Sequence, residues 1–185
     1  MLPLIIVLCV IGFLLLVFVI MLISFFNGTK KLQLNIGNSK AQLDVQLKRR
    51  FDLIPNLVET VKGYTKHESE TLKNITGLRS KIAAPGGNTP ENQALLSSEI
   101  AKFNISVEAY PELKANTNFM SLQGELNNTE TKIAHFRQFV NDSVLQYNRR
   151  IATFPNLIFA KMFGFKAEEA LKTPELEREN VKVSF

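Results

Sequence analysis

Two hydrophobic patterns follow one another along this chain. From Leu2 to Phe26 the run is continuous, interrupted only by Pro3, Gly12 and Ser24. Further on, apolar and seam residues step by four and three. One series is Leu47, Phe51, Ile54, Val58, Val61, Thr65, Glu68, Leu72, Ile75, Arg79 and Ile82; another is Leu96, Ile100, Phe103, Val107 and Tyr110. A third is Glu130, Ile133, Arg137, Val140, Val144, Tyr147 and Ile151. Such a repeat is the seam of packed helices, and no stretch alternates apolar and polar residues with hairpin turn chemistry. The pattern predicts an all-α protein: an N-terminal transmembrane helix, then an elongated antiparallel three-helix bundle with coiled-coil-like seams. The helices are expected at 40–83, 90–110 and 111–153, the first free to extend back toward the anchor. Pro85 to Pro90 reads as a loop, with Thr89 as cap and Pro90 in the first turn. Pro55 falls inside an unbroken repeat and predicts a kink rather than a stop.

Composition sharpens the reading of the first run. Residues 1–29 carry no Lys, Arg, Asp or Glu, so every formal charge lies beyond them. As a helix rising about 1.5 Å per residue, the run reaches roughly 37 Å, enough for a hydrocarbon core of about 30 Å with some tilt. A cleavable signal peptide would need a basic start, an apolar stretch of about 7–15 residues and a small-x-small cleavage site. The start is not basic, the run is longer, and Ser24-Phe25-Phe26-Asn27 offers no such site. An uncleaved single-pass anchor is expected over 1–28. The lone Cys9 excludes an internal disulfide framework and any site built on several cysteine ligands.

The protein's net charge is +5. That whole excess sits in 30–50, where Lys30, Lys31, Lys40, Lys48, Arg49 and Arg50 face Asp44 alone; 51–185 is neutral. Positive charge beside a span resists translocation, which places the N-terminus outside and the C-terminal domain in the cytoplasm. Lys30 and Lys31 are the membrane-adjacent pair. Lys48-Arg49-Arg50 read equally well as solvated helix residues, too far from the lipid for a screened field of about 8 Å. A neutral bundle without a basic face leaves nucleic-acid binding without support.

The region around Pro111 carries the most distinctive strings. Tyr110-Pro111-Glu112-Leu113-Lys114-Ala115-Asn116, Phe119, Leu122-Gln123, Leu126, Thr129-Glu130, Ile133-Ala134, Arg137 and Tyr147-Asn148 resemble the signature of the LemA family. Asp44 through Val58 resembles that family's first helix, followed by Val61-Lys62-Gly63-Tyr64, His67-Glu68 and Arg79, and Val181-Lys182-Val183-Ser184-Phe185 is similar to its C-terminus. Phe136 and Val140 depart from it, standing where Ala and Tyr are expected. The resemblance implies a bacterial inner-membrane protein with an all-helical domain, here 29–166, and a charged tail over 167–185. It implies no activity.

No active site emerges from the residues. His67-Glu68-Ser69-Glu70-Thr71 begins like a zinc-protease helix but lacks the second histidine, and Gly86-Gly87 lacks the Lys-Ser/Thr of a phosphate loop. No catalytic residue, cofactor or metal is expected. His67 and His135 read as ordinary helix residues, and the five Asn-x-Ser/Thr tripeptides as chance occurrences.

Four seam charges stand out instead: Glu68, Arg79, Glu130 and Arg137. An acid/base pair is one reading; buried charges fixing register is the favoured one. In an antiparallel pairing of the first and third helices, Glu68–Arg137 and Arg79–Glu130 need registers only about one turn apart. That register sets Pro55 near Ala152, so the similar strings Arg49-Arg50…Pro55-Asn56-Leu57 and Arg149-Arg150…Pro155-Asn156-Leu157 should meet at the membrane end. The aromatic, basic stretch Leu157–Lys166, with Phe159, Phe163 and Phe165, either lies in the membrane interface or packs on the first helix, the latter favoured.

The expected function is a non-enzymatic scaffold or adaptor, working through self-assembly (a homo-oligomer) and protein–protein contacts at the membrane. Leu53, Leu57 and Leu78 beside the seam suggest an apolar stripe wider than one partner needs. The alternatives are an accessory partner of a membrane zinc metalloprotease of the HtpX type, which the family resemblance implies, and a lipid-surface organiser resting on Lys30, Lys31 and 157–166.

Overall fold

The computed structural model describes residues 1–62 and 70–172, with only the backbone described at Ala109. Glu68, Thr65, His67 and the closing Val181–Phe185 string lie outside the described residues. All regular structure among the described residues is helical. Helix α1 spans Leu2–Lys62, α2 Glu70–Ala83, α3 Pro90–Ser106, α4 Pro111–Ala115, α5 Thr117–Ala152 and α6 Asn156–Met162, with a short 3-10 turn at Val107–Ala109.

The first helix is thus not confined to 40–83. It starts within the apolar run and is continuous through Pro55. Proline at 55 cannot donate to the Phe51 carbonyl one turn back. Arg79 supplies a replacement, its Nε donating to that oxygen at 3.2 Å. The cost of an interior proline is offset by a side chain from the next helix, so the helix does not end there.

The other boundaries follow from capping. Thr89 accepts from the backbone N–H of Asn92 at 3.2 Å, and Pro90 fills the first turn of α3. The expected helix 111–153 is divided. Asn116 is extended, and its side-chain oxygen accepts from the N–H groups of Asn118 and Phe119 at 2.9 and 3.0 Å. Asparagine competes well with the helix for those donors, so α4 stops and α5 restarts at Thr117.

The described residues divide into two compact units, 1–41 with 138–170, and 42–62 and 70–137 with 171–172. In the second unit one apolar cluster joins Ile54, Leu57 and Val61 of α1 to Leu72, Ile75 and Ile82 of α2 and Leu96, Ile100 and Phe103 of α3. Val107, Leu113, Phe119 and Leu126 complete it, and Phe51, Val58, Leu78 and Leu122 pack against it. Burial of each such side chain contributes about 1.5–3 kcal/mol. Leu57 and Leu78, expected to widen an outer stripe, are therefore used inside the unit.

The first unit pairs the start of α1 with the end of α5. Phe25 and Ile36 are buried with Val140, Val144, Tyr147, Ile151, Phe159 and Ala160. Polar side chains share this interior: Ser39 and Ser143 place their hydroxyls 3.5 Å apart. Each also donates to a carbonyl of its own helix one turn back, Asn35 at 2.7 Å and Phe139 at 2.8 Å, so neither hydroxyl is stranded.

The described start of the tail is tied down. Tyr147 donates its hydroxyl to the Lys166 carbonyl at 2.9 Å, and Asn148 exchanges two hydrogen bonds with the Glu168 backbone at 2.8 and 2.9 Å. Burial raises the Tyr147 phenol above its ordinary 10.0, and the Glu168 charge adds to the rise. A raised folded value means that the neutral phenol is the stabilising form. Its contribution is complete below pH 10 and is lost as pH climbs through the folded value. Tyr147→Phe should lower the melting temperature of the full chain in detergent at pH 8, by the equivalent of about 1 kcal/mol. The gap to the parent should narrow above pH 10; a gap that holds constant would show that the phenol's ionisation does not matter.

Candidate functional site

The polar features of the second unit converge on Arg50. Its side chain is fully buried, on the face of α1 that also carries Ile54, Leu57 and Val61. Nη1 donates to Glu130 Oε1 and Oε2 at 2.9 and 3.1 Å and to Ser97 Oγ at 2.6 Å. Nη2 donates to the side-chain oxygen of Gln93 and to its carbonyl at 3.4 Å. Ser97 donates in turn to Glu130 Oε2 at 2.8 Å. Gln93 reaches back to Asn88 Oδ1 at 2.6 Å, and Asn92 to the Gly87 carbonyl at 2.7 Å, so the loop before α3 is fixed to the same cluster.

Burial lowers the Arg50 pKa, the Glu130 charge and hydrogen bond oppose that, and the nearby Arg137 charge lowers it further. A guanidinium remains charged under all of these influences. Arg50 also lines a cleft of about 370 Å³ with Asp44, Leu47, Phe51, Gln93 and Leu96. Its Nε is buried there without a hydrogen-bond partner. The cluster is suited to holding three helices in one register. It contains an acceptor, a cation and a hydroxyl already engaged with one another.

Glu130 therefore pairs with Arg50 and not with Arg79. The register that was expected from the seam charges is displaced along α1, because position 130 of α5 lies opposite position 50. Arg79 instead lays its guanidinium on the Phe51 ring, Cζ 4.1 Å from the centroid, while donating to the Phe51 carbonyl. Arg79, Glu130 and Arg137 are all half-buried, and Glu68 lies outside the described residues. The two Arg-Arg…Pro-Asn-Leu strings do not pair with each other through their second arginines. Arg50 binds within one unit, and Arg150 donates its Nε to Thr29 Oγ1 at 3.1 Å within the other.

In the first unit a second cluster surrounds Phe25. Phe159, Phe163 and Phe165 lie with ring centroids 5.6, 6.4 and 6.0 Å from it. Phe163 and Phe165 also meet Phe26 at 5.2 and 5.8 Å, and Phe159 meets Phe18 at 6.0 Å. The segment 157–166 thus packs on α1, but on the last turns of the apolar run instead of on a bundle helix.

Cations border these rings. Lys30 stands 5.6 Å from the Phe165 centroid, and the Arg150 guanidinium 5.7 Å from that of Phe25. Arg150 also reaches the Ser24 carbonyl at 3.4 Å. It crosses α1 at Gly28, where a Cβ would lie 2.9 Å from its Cζ, so glycine leaves the guanidinium its place. Lys30 and Lys31 are exposed. His135 is exposed, its ring 5.8 Å from that of Phe136, and no group of three potential metal ligands occurs among the described residues.

Helix α1 contains an 18-residue window long and apolar enough to cross a membrane, and none of it is buried in the fold. A family model described as the LemA family matches residues 39–185. A protein named Protein LemA from Metamycoplasma hominis is 26% identical over 161 residues, covering 85% of this chain and 74% of its own length.

Proposed function

The chain belongs to the LemA family, and from that premise we propose that it is a membrane-tethered, non-enzymatic helical scaffold or adaptor of the bacterial inner membrane. The observation that carries this is the exposed apolar start of α1, continuous in one helix with residues that enter the packed core of the second unit. A tether of that kind confines a binding domain to the membrane plane, where a modest affinity between neighbours acts at raised effective concentration. The polar interior supports a structural role: the terminal nitrogens of Arg50 are engaged by Ser97, Gln93 and Glu130, and Ser97 donates to Glu130.

The excess of basic residues in 30–50 supports a cytoplasmic domain. Self-assembly is the mode of action we favour. Leu34, Val45, Ile105 and Leu145 are large apolar residues exposed outside the span and available to a second copy. The test uses the full chain in bacterial membranes. Protease outside intact spheroplasts should spare the domain, and light scattering after mild detergent extraction should give a multi-copy mass. External digestion would reverse the orientation, and a monomer at every concentration would remove self-assembly.

A further inference from the structure

Helix α6 has two apolar faces. Phe159 and Ala160 are buried toward the rest of the first unit, 8% and 3% exposed. The other side presents Ile158 and Met162, four apart on one face, and the turn just before the helix presents Phe154; these are 57%, 57% and 82% exposed. Phe154, Ile158 and Met162 standing free in water are costly, at about 25 cal/mol for each Å² of apolar surface left wet, a cost that an apolar medium against them would remove.

The position of α6 identifies that medium. Its Phe159 ring packs on Phe18, which lies eight residues before the end of the apolar run at Phe26. At about 1.5 Å per residue, that contact is about 12 Å inside the span's end. Helix α6 therefore runs beside the final turns of the membrane segment, at the depth where interfacial helices bury an apolar face by about 5–10 Å. The charges agree with the depth. Lys30 lies four residues past the end of the apolar run, and Arg150 donates to Thr29 and to the Ser24 carbonyl, so both cations stand at the end of the span, the level at which lipid phosphates would lie. Lys30 and Arg150 are both positioned over aromatic rings there.

We propose that the Thr153–Met162 elbow is a second membrane contact, with Phe154, Ile158 and Met162 seated in the headgroup–acyl boundary of the bilayer that holds α1. It rests on the reading of Leu2–Phe26 as a span and extends it: the chain is held by a span and a short interfacial helix packed against it through aromatic rings. The favoured packing of 157–166 on the first helix and its contact with lipid are then the two faces of one helix, not alternatives.

The protein has no tryptophan, so a single introduced indole reports alone. The full chain with Phe154→Trp, and separately with Ile158→Trp, would be reconstituted in phosphatidylcholine–phosphatidylglycerol vesicles. Acyl chains brominated near the headgroup should remove most of the emission of both variants, deep bromines should remove less, and acrylamide should quench both weakly. Leu14→Trp, in the middle of the apolar run, serves as the reference and should be quenched best by deep bromines. Emission at 154 and 158 that ignores bromine overturns the proposal, whether it is red-shifted and open to acrylamide or blue-shifted under a second protein surface. If Leu14→Trp responds and the other two do not, the span stands and the elbow contact falls. If none responds, both fall together.

Discussion

Glu130→Gln is expected to cost about 3–5 kcal/mol, because it leaves a buried guanidinium without its carboxylate. The Arg50 side chain is fully buried, whereas that of Glu130 is 21% exposed. Glutamine keeps the shape and one acceptor but removes the charge that offsets desolvation of Arg50. Urea unfolding of the full chain in detergent would read the loss. Removing both partners, Arg50→Met with Glu130→Gln, should cost much less than the two single losses combined, since the neutral pair leaves no buried charge without its counter-charge. Strictly additive losses would mean that the two side chains are not energetically coupled. Arg49–Glu125, 3.1 Å apart with both side chains more than two-fifths exposed, provides the contrast. Breaking that pair should cost less than about 1 kcal/mol, and the remainder should vanish in salt.

Phe119→Ala should cost a similar amount, about 3–5 kcal/mol, for a different reason. The ring is fully buried and packs edge-on against Phe103 at 6.3 Å. It sits in the first turn of α5, where its own N–H is held by the Asn116 side chain. Truncation leaves a cavity at the point where α3, α4 and α5 come together, and the capped turn cannot slide to fill it. Phe119→Leu keeps most of the volume and should lose less than about half as much. Thermal unfolding of the two variants separates a cavity cost from a general intolerance of change; equal losses would count against the cavity.

The helical character of the chain and most of its interior positions were legible in the spacing of apolar residues. Ile54, Val61, Leu72, Ile75, Ile82, Leu96, Ile100, Phe103, Val140, Val144 and Tyr147 all belong to the predicted seams and all are buried. On α1 the spacing places Leu47 and Phe51 on the stripe with Ile54 and Val61, whereas the fully enclosed position is Arg50, in line with Thr29, Ile36, Ser39 and Leu43. A hydrophobicity pattern cannot show a face built from Thr, Ser and Arg, because those residues are buried only through bonds to groups far away in sequence. The wrong partner for Glu130 follows from the same gap: without Arg50 in the stripe, Arg79 was the nearest cation on a seam. Arg79 had a local task that the sequence also held, four residues before Pro55, in the carbonyl of Phe51 that proline leaves free. Nothing in the spacing pointed to a distant arginine as the donor.

If α1 spans a bilayer, as proposed above, the place of Arg150 at Gly28 has a further consequence. Lys30 and Lys31 are carried by long flexible stems, and such stems accommodate shifts in height by snorkelling. Arg150 has no such freedom: its Nε is bonded to Thr29, its Nη2 to the Ser24 carbonyl, and it arrives from α5 rather than from α1. Moving α1 one turn deeper would carry this guanidinium, and the end of α5 with it, into hydrocarbon. An arginine at the centre of a bilayer is disfavoured by about 2.5–3.5 kcal/mol on insertion scales, and by less near the edge. In that setting the contact would act as a stop against piston movement in that direction. A bilayer thicker or thinner than the span would then be accommodated by changing the tilt of α1 or by deforming the lipid around it, with the height of Arg150 held constant.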